Sequence, residues 1–159
     1  MLEIKILLLL IVANGSPIVA RNVFKDSFSF PLDAGRMFID QRPILGHSKT
    51  VRGLLFSVVL TGLAAYLVGM EARTGFYIAF FAMLGDLFSS FIKRRLNKPP
   101  SSMAPGLDQV PEALFPLLYC MSVFKLEWGQ VFLIILLFIV IELFLSKILY
   151  IIGIRKRPY

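Results

Sequence analysis

The segment from Gln130 to Ile152 reads QVFLIILLFIVIELFLSKILYII, with Glu142 and Lys147 as its only charges. Crossing about 30 Å of hydrocarbon takes roughly 20 apolar residues in a helix, with a range of about 17–25. This run therefore reads as a transmembrane helix. Working outward from it, four further apolar stretches emerge: Leu2–Ala20, Leu54–Met70, Thr74–Ile92 and the shorter Pro111–Phe124. The first is interrupted by Asn14-Gly15-Ser16-Pro17. The expected fold is an all-α integral membrane protein, one membrane-embedded domain of five transmembrane helices at 2–20, 54–70, 74–92, 111–124 and 130–152. No internal repeat or low-complexity linker divides it.

Composition agrees. Of 159 residues, 57% are hydrophobic and only 17% charged, against about 25% charged in a soluble domain. Disorder is excluded by that apolar content, and a water-soluble globule nearly so. A single cysteine, Cys120, excludes an internal disulfide and a cysteine-rich metal site. The lone His47 cannot build a zinc site with histidine partners. The N-terminus has the alternative reading of a cleaved signal peptide, with Lys5, an apolar run and Ala20. Ile18 is a poor residue three places before such a cut, and the polar insert is out of place there.

The excess charge is unevenly placed. Lys and Arg total 17 against 10 Asp and Glu. Arg21, Lys25, Arg36, Arg42, Lys49 and Arg52 lie between spans one and two. Lys93, Arg94, Arg95 and Lys98 lie between spans three and four, and Arg155, Lys156 and Arg157 in the tail. With five spans these segments share one side, which the positive-inside rule makes cytoplasmic. The N-terminus is then outside and the C-terminus inside, in the cell membrane. Span two carries Ser57, Thr61, Ala65 and Gly69 at steps of four, a stripe that admits a close helix neighbour. Packing within one subunit is the plain reading; a homodimer seam is the alternative.

Polar residues within or beside a span default to functional hypotheses. Asp86 lies late in span three, with Ser90, Lys93 and Arg94 on or near its helical face. A carboxylate followed by a hydroxyl and two cations resembles a metal–phosphate site, the acid holding Mg²⁺ and the cations the phosphate. The alternative is a plain cytoplasmic anchor. Asp108 and Glu112 sit at the next loop-to-span junction, with Pro111 suited to a first helical turn. Asp108 is either a helix cap or, converging with Asp86, an oxygen-rich site for one or two hard divalent ions. Between spans one and two, Gly46-His47-Ser48-Lys49-Thr50-Val51-Arg52-Gly53 reads as a phosphate cradle at a helix N-terminus. It lacks Walker A spacing, and contact with anionic lipid explains it equally well. The Asn14–Pro17 insert is expected to break span one where it lines a polar chamber. Glu142 has that same chamber open to it, and Lys147 a path to the inner surface.

Taken in order, Asn14-Gly15-Ser16-Pro17, Asp33-Ala34-Gly35-Arg36, Gly46–Gly53, Gly85-Asp86-Leu87 through Ser90–Arg95, and Leu107-Asp108-Gln109 resemble the motifs of CDP-archaeol synthases. These form a branch of the CTP:phosphatidate cytidylyltransferase superfamily. The likeness runs from about Asn14 to Glu112. It implies Mg²⁺-dependent transfer of CMP from CTP to a membrane lipid phosphate, either an archaeal-type unsaturated ether lipid phosphate or phosphatidic acid, with release of pyrophosphate. It puts metal on Asp86 and Asp108, and nucleotide phosphate on Lys49, Arg52, Lys93 and Arg94. The candidate catalytic residues are then Asp86, Asp108 and Lys93. Candidate substrate contacts are Asn14, Ser16, Lys49, Thr50, Arg52, Ser90, Arg94, Arg95 and Glu112. One departure stands out: the family often has a further aspartate where this chain has Pro111, followed by Glu112. The expected partners are CTP, lipid phosphate and membrane, without nucleic acid. Two other classes stay open, a small transporter or channel without CTP chemistry and a non-catalytic lipid-binding subunit. Solute flux through liposomes without CTP dependence distinguishes the first, and tolerance of shuffled loop cations the second.

Overall fold

Five helices follow the expected spans in order: α1 (Leu2–Phe24), α2 (Val51–Leu67), α3 (Ala72–Arg95), α4 (Gln109–Phe124) and α5 (Trp128–Ile151). The structure is a computed structural model, and it describes residues 1–25 and 27–154. The basic tail residues Arg155, Lys156 and Arg157 lie outside the described residues. By length and composition, α1, α3 and α5 can each cross a membrane unaided. Helices α2 and α4, with 17 and 16 residues, reach only about 25 Å. The two long connections, 25–50 and 96–108, join α1 to α2 and α3 to α4, at the same end of the bundle.

The surface is inverted relative to a soluble protein. Leu55, Val59, Leu63 and Tyr66 of α2 and Phe132, Leu136, Val140 and Phe144 of α5 point outward, while Arg52, Lys93, Arg94, Gln109 and Glu112 are buried. In lipid, helices associate through close packing and hydrogen bonds rather than expulsion of water. The Ser57–Thr61–Ala65 stripe serves that purpose inside the chain. All three are fully buried, and at Gly75 of α3 a Cβ would stand 2.4 Å from the Thr61 carbonyl oxygen. Gly69 leaves the stripe, since its φ of +72° belongs to the turn that ends α2.

Span one is not broken. Helix α1 runs continuously through Asn14-Gly15-Ser16-Pro17, and the reason is a borrowed hydrogen bond. Pro17 has no N–H for the carbonyl of Ala13, four residues earlier. Ser57 Oγ of α2 donates to that carbonyl instead, at 2.8 Å. Ser16 turns its own hydroxyl back to the Val12 carbonyl at 2.6 Å. The polar insert is thus a helix–helix joint, and Gly53 allows it, because a Cβ there would meet Pro17 Cβ at 3.2 Å.

Helix boundaries move for local reasons. Helix α2 starts three residues before the expected Leu54 because Thr50 caps it, Oγ1 accepting from Gly53 N–H at 3.2 Å. Helix α5 starts at Trp128 on a capping box between Glu127 and Gln130.

Candidate active site

At the end covered by the long connections a cavity of about 780 Å³ opens between the helices, and Asn14, Lys49, Thr50, Arg52, Asp86, Lys93, Asp108, Gln109, Glu112 and Glu142 line it. Two ion pairs define its interior. Lys49 Nζ sits 2.6 Å from both carboxylate oxygens of Asp86. Lys93 Nζ sits 2.6 Å from Asp108 Oδ1 and donates to the Ser102 carbonyl at 3.0 Å. Glu112, 8% exposed, lines the same cavity as Asp86.

Each residue arrives there for a local reason. Lys49 is delivered by a clamped loop. The carboxylate of Asp33, 8% exposed, accepts from Gly35 N–H at 3.0 Å, Leu45 N–H at 2.9 Å and Gly46 N–H at 2.8 Å. Leu32 N–H then donates to the Lys49 carbonyl at 2.8 Å. Burial works to lower the pKa of Lys49, but the negative charges of Asp86 and Glu112 outweigh it and raise the pKa, so the side chain stays an ammonium. Asp86 meets α4 because Gly85 lets the chains touch. A Cβ on Gly85 would lie 2.2 Å from the Pro111 carbonyl oxygen and 2.7 Å from the Glu112 nitrogen. Asp108 occupies the N-cap position of α4, yet its side chain does not cap the helix. Its Oδ2 turns back to accept from Ala104 N–H at 2.8 Å, leaving Oδ1 for Lys93.

Other candidates from the sequence are placed differently. Ser16, Ser90, Arg94 and Arg95 do not line the cavity. Arg94 donates to the Pro99 carbonyl at 2.9 Å. Arg95 lies against the rings of Phe38 and Phe91, pairs with Asp40 at 3.2 Å and donates to the Pro43 carbonyl at 2.6 Å. Arg52 lines the cavity but points its guanidinium at the carbonyls of Lys25 and Ser27. Two N–H groups of the expected cradle are also taken, Gly46 by Asp33 and Gly53 by Thr50. Asn14 keeps a buried Nδ2 with no hydrogen-bond partner among the described residues.

The donor set suits a hard divalent ion shared with a substrate. Among the described residues no three His, Cys, Asp or Glu side chains form a ready metal cage. Mg²⁺ does not need one, since it binds through one or two carboxylates and completes its shell with phosphate oxygens and water. In this structure each of the two carboxylates, Asp86 and Asp108, is paired with a lysine ammonium. The channel alternative, with a broken span one and Glu142 along its path, loses the broken helix, though Glu142 does line the cavity.

A family model described as CarS-like CDP-archaeol synthase matches residues 2–159. The chain is 34% identical over 130 residues to CDP-archaeol synthase of Thermococcus kodakarensis, covering 75% of this chain and 72% of that one. It is 34% identical over 154 residues to CDP-archaeol synthase of Thermofilum pendens, covering 93% and 76%. A solved structure, described as an intramembrane enzyme for archaeal membrane lipid biosynthesis, superposes with a TM-score of 0.76 at 29% identity, over 88% of this chain and 89% of that one.

Proposed function

The chain belongs to the CDP-archaeol synthase family, membrane-embedded lipid cytidylyltransferases, and from that premise we propose that it transfers CMP from CTP to an unsaturated ether lipid phosphate. Phosphatidic acid is the competing acceptor. An oxygen of the lipid phosphate monoester attacks the α-phosphorus of CTP, the bond from that phosphorus to the bridging β-oxygen breaks, and pyrophosphate leaves. The product is a CDP-lipid joined by the new phosphoanhydride. No general base is needed, because the attacking monoester is already ionised at neutral pH.

The observation that carries this reading is the pair of Lys–Asp contacts inside one cavity between the helices. Two polyanions must meet there, and Lys49 and Lys93, paired with Asp86 and Asp108 before substrate binds, would turn their positive charge to the triphosphate once a metal takes their place on the carboxylates. Mg²⁺ held by Asp86 and Asp108 would neutralise phosphate oxygens and stabilise the charge that spreads during transfer. Arg21 and Lys25 line the same cavity nearer its rim, beside the apolar Ile18 and Leu54, an arrangement suited to a phosphate carried on a lipid. Lys25, Arg36, Arg42, Lys49 and Lys98 in the two long connections, with Arg21, Arg52, Lys93, Arg94 and Arg95 at the adjoining helix ends, gather at this end, which supports a cytoplasmic side by the positive-inside rule and entry of CTP from the cytosol.

The test is direct. Purified protein is incubated with labelled CTP, Mg²⁺ and each lipid phosphate in turn. Formation of CDP-lipid and pyrophosphate is expected, with Asp86→Asn folded and inactive. Undiminished turnover in that variant would sink the assignment.

A further inference from the structure

Helix α5 keeps its inward residues in one stripe. Val131, Ile134 and Phe138 are buried in the apolar core, and the stripe continues into Glu142 and Ser146, which line the cavity. A carboxylate inside a span as greasy as this one is costly and needs a reason. Its contact supplies one. Glu142 Oε2 accepts from Gln109 Nε2 at 2.7 Å, and Gln109 is 3% exposed. The same amide accepts at its other end, where Gly106 N–H donates to Gln109 Oε1 at 2.9 Å.

That second contact falls on the turn that carries Asp108. Gly106 has a φ of +81°, and Asp108 N–H donates to the Ala104 carbonyl at 3.0 Å while Asp108 Oδ2 accepts from Ala104 N–H at 2.8 Å. A side-chain amide has one accepting and one donating end. With Oε1 committed to Gly106, only the donating end is left for α5, so position 142 must offer an acceptor. An apolar side chain there would leave a buried amide donor unpaired and free the amide to reverse.

We propose that Glu142 is a positioning residue: through Gln109 it fixes the turn at Gly106 and so holds the Asp108 carboxylate beside Lys93. Its catalytic consequence rests on the cytidylyltransferase reading above, in which Asp108 meets metal and phosphate. What the position requires is an accepting oxygen, and the charge is secondary. Glu142→Gln should therefore work, because its amide oxygen can accept in the same place.

The experiment compares wild type, Glu142→Gln, Glu142→Ala and Glu142→Leu in detergent. Backbone hydrogen exchange is read at Gly106, and kcat and KM for CTP are read with Mg²⁺ and lipid phosphate. In the Ala and Leu variants exchange at Gly106 should accelerate about five- to tenfold, the scale of one lost hydrogen bond. Their kcat should fall about ten- to hundredfold, as expected for a slightly misplaced group, with KM for CTP little changed. Glu142→Gln should match wild type within about threefold in both readouts, a residual well below that misplacement effect. Unchanged exchange at Gly106 in Glu142→Ala overturns the strut, whatever the enzyme does. Glu142→Gln as poor as Glu142→Ala overturns the claim that an acceptor is what matters. A wild type that makes no CDP-lipid, with Gly106 still loosened by Glu142→Ala, sinks the transferase reading and leaves the strut standing. The Ala variant keeps the test readable if the bulkier Leu variant does not fold.

Discussion

Lys49 reaches across 37 positions of sequence to place its ammonium 2.6 Å from both oxygens of Asp86, joining a loop to the third helix inside the bundle. The pair does two separable things. It neutralises a largely buried carboxylate, and in the proposed reaction it would hold one cation of the cavity ready for a phosphate. Removing either partner leaves a charge without its counterpart, at a cost of about 3 kcal/mol for a largely buried pair. Lys49→Met and Asp86→Asn should each lower the melting temperature, and the double variant should recover part of that loss. None of the three should make CDP-lipid at more than about a hundredth of the wild-type rate, the scale of losing one preorganised electrostatic group. Melting curves and product formation measured on the same samples separate the two effects. A double variant that regains activity would contradict the role given to the pair.

Gly85 makes a sharper prediction. Its missing Cβ is occupied by the backbone of Pro111 and Glu112, at 2.2 Å from a carbonyl oxygen, and backbone cannot rotate out of the way as a side chain can. Gly85→Ala should push α3 from α4, cost about 1–3 kcal/mol as overpacking does, and separate Asp86 from Glu112. Turnover should fall with stability. Gly15→Ala is the matched control, since nothing stands within 4 Å of a Cβ there. That change should stabilise the helix by about 0.5–1 kcal/mol and leave turnover intact. The opposite ranking in melting curves and assay would remove Gly85 from the site.

Much of this was legible in the sequence, and the limits have physical causes. Length and hydropathy announced the five helices, because in lipid each span must satisfy its own backbone. Asp86, Asp108 and Lys93 stood out since charge near a span is costly. What spacing could not show was which partner each polar group had already found. Arg95 looked like one more phosphate cation, and lies instead against Phe38 and Phe91 with Asp40 at 3.2 Å. Asp33 stood inside a quoted motif with no task assigned, because a carboxylate that binds three backbone N–H groups leaves no periodic trace. Asn14–Pro17 read as a break because the compensating hydroxyl, Ser57, lies 44 positions away from Ala13.

That compensation is itself testable. Ser57→Ala leaves the Ala13 carbonyl with no donor in place of the one Pro17 lacks, a loss of about 1–3 kcal/mol. Pro17→Ala in the same chain restores an ordinary helical N–H to that carbonyl. The two changes should therefore be non-additive, with Ser57→Ala far less harmful in the Pro17→Ala background. A thermal double-mutant cycle reads the coupling. Additive losses would show that the Ser57 hydroxyl does not stand in for the missing amide.

The loop that presents Lys49 carries a pH dependence of definite sign. Burial pushes the Asp33 carboxyl towards a higher pKa, but the backbone N–H groups of Gly46, Leu45 and Gly35 outweigh it, so its pKa lies below the ordinary aspartate value. A depressed pKa means that the folded loop prefers the ionised form. The stability this lends is fully present above the unfolded value of about 3.9 and is lost as pH falls through the lower folded value. Asp33→Asn lacks the titrating group and keeps only one accepting oxygen. At pH 7 it should be less stable than wild type by about 1–3 kcal/mol, the range for hydrogen bonds to a charged acceptor. The gap should narrow as the buffer is taken below the unfolded value of about 3.9, because there the unfolded wild type takes up a proton that the folded loop resists, and Asp33→Asn has no such proton to bind. Paired melting curves across that series decide the matter. A gap that stays constant down to the lowest pH would mean that shape, rather than the ionised carboxylate, is what holds Gly46 and with it Lys49.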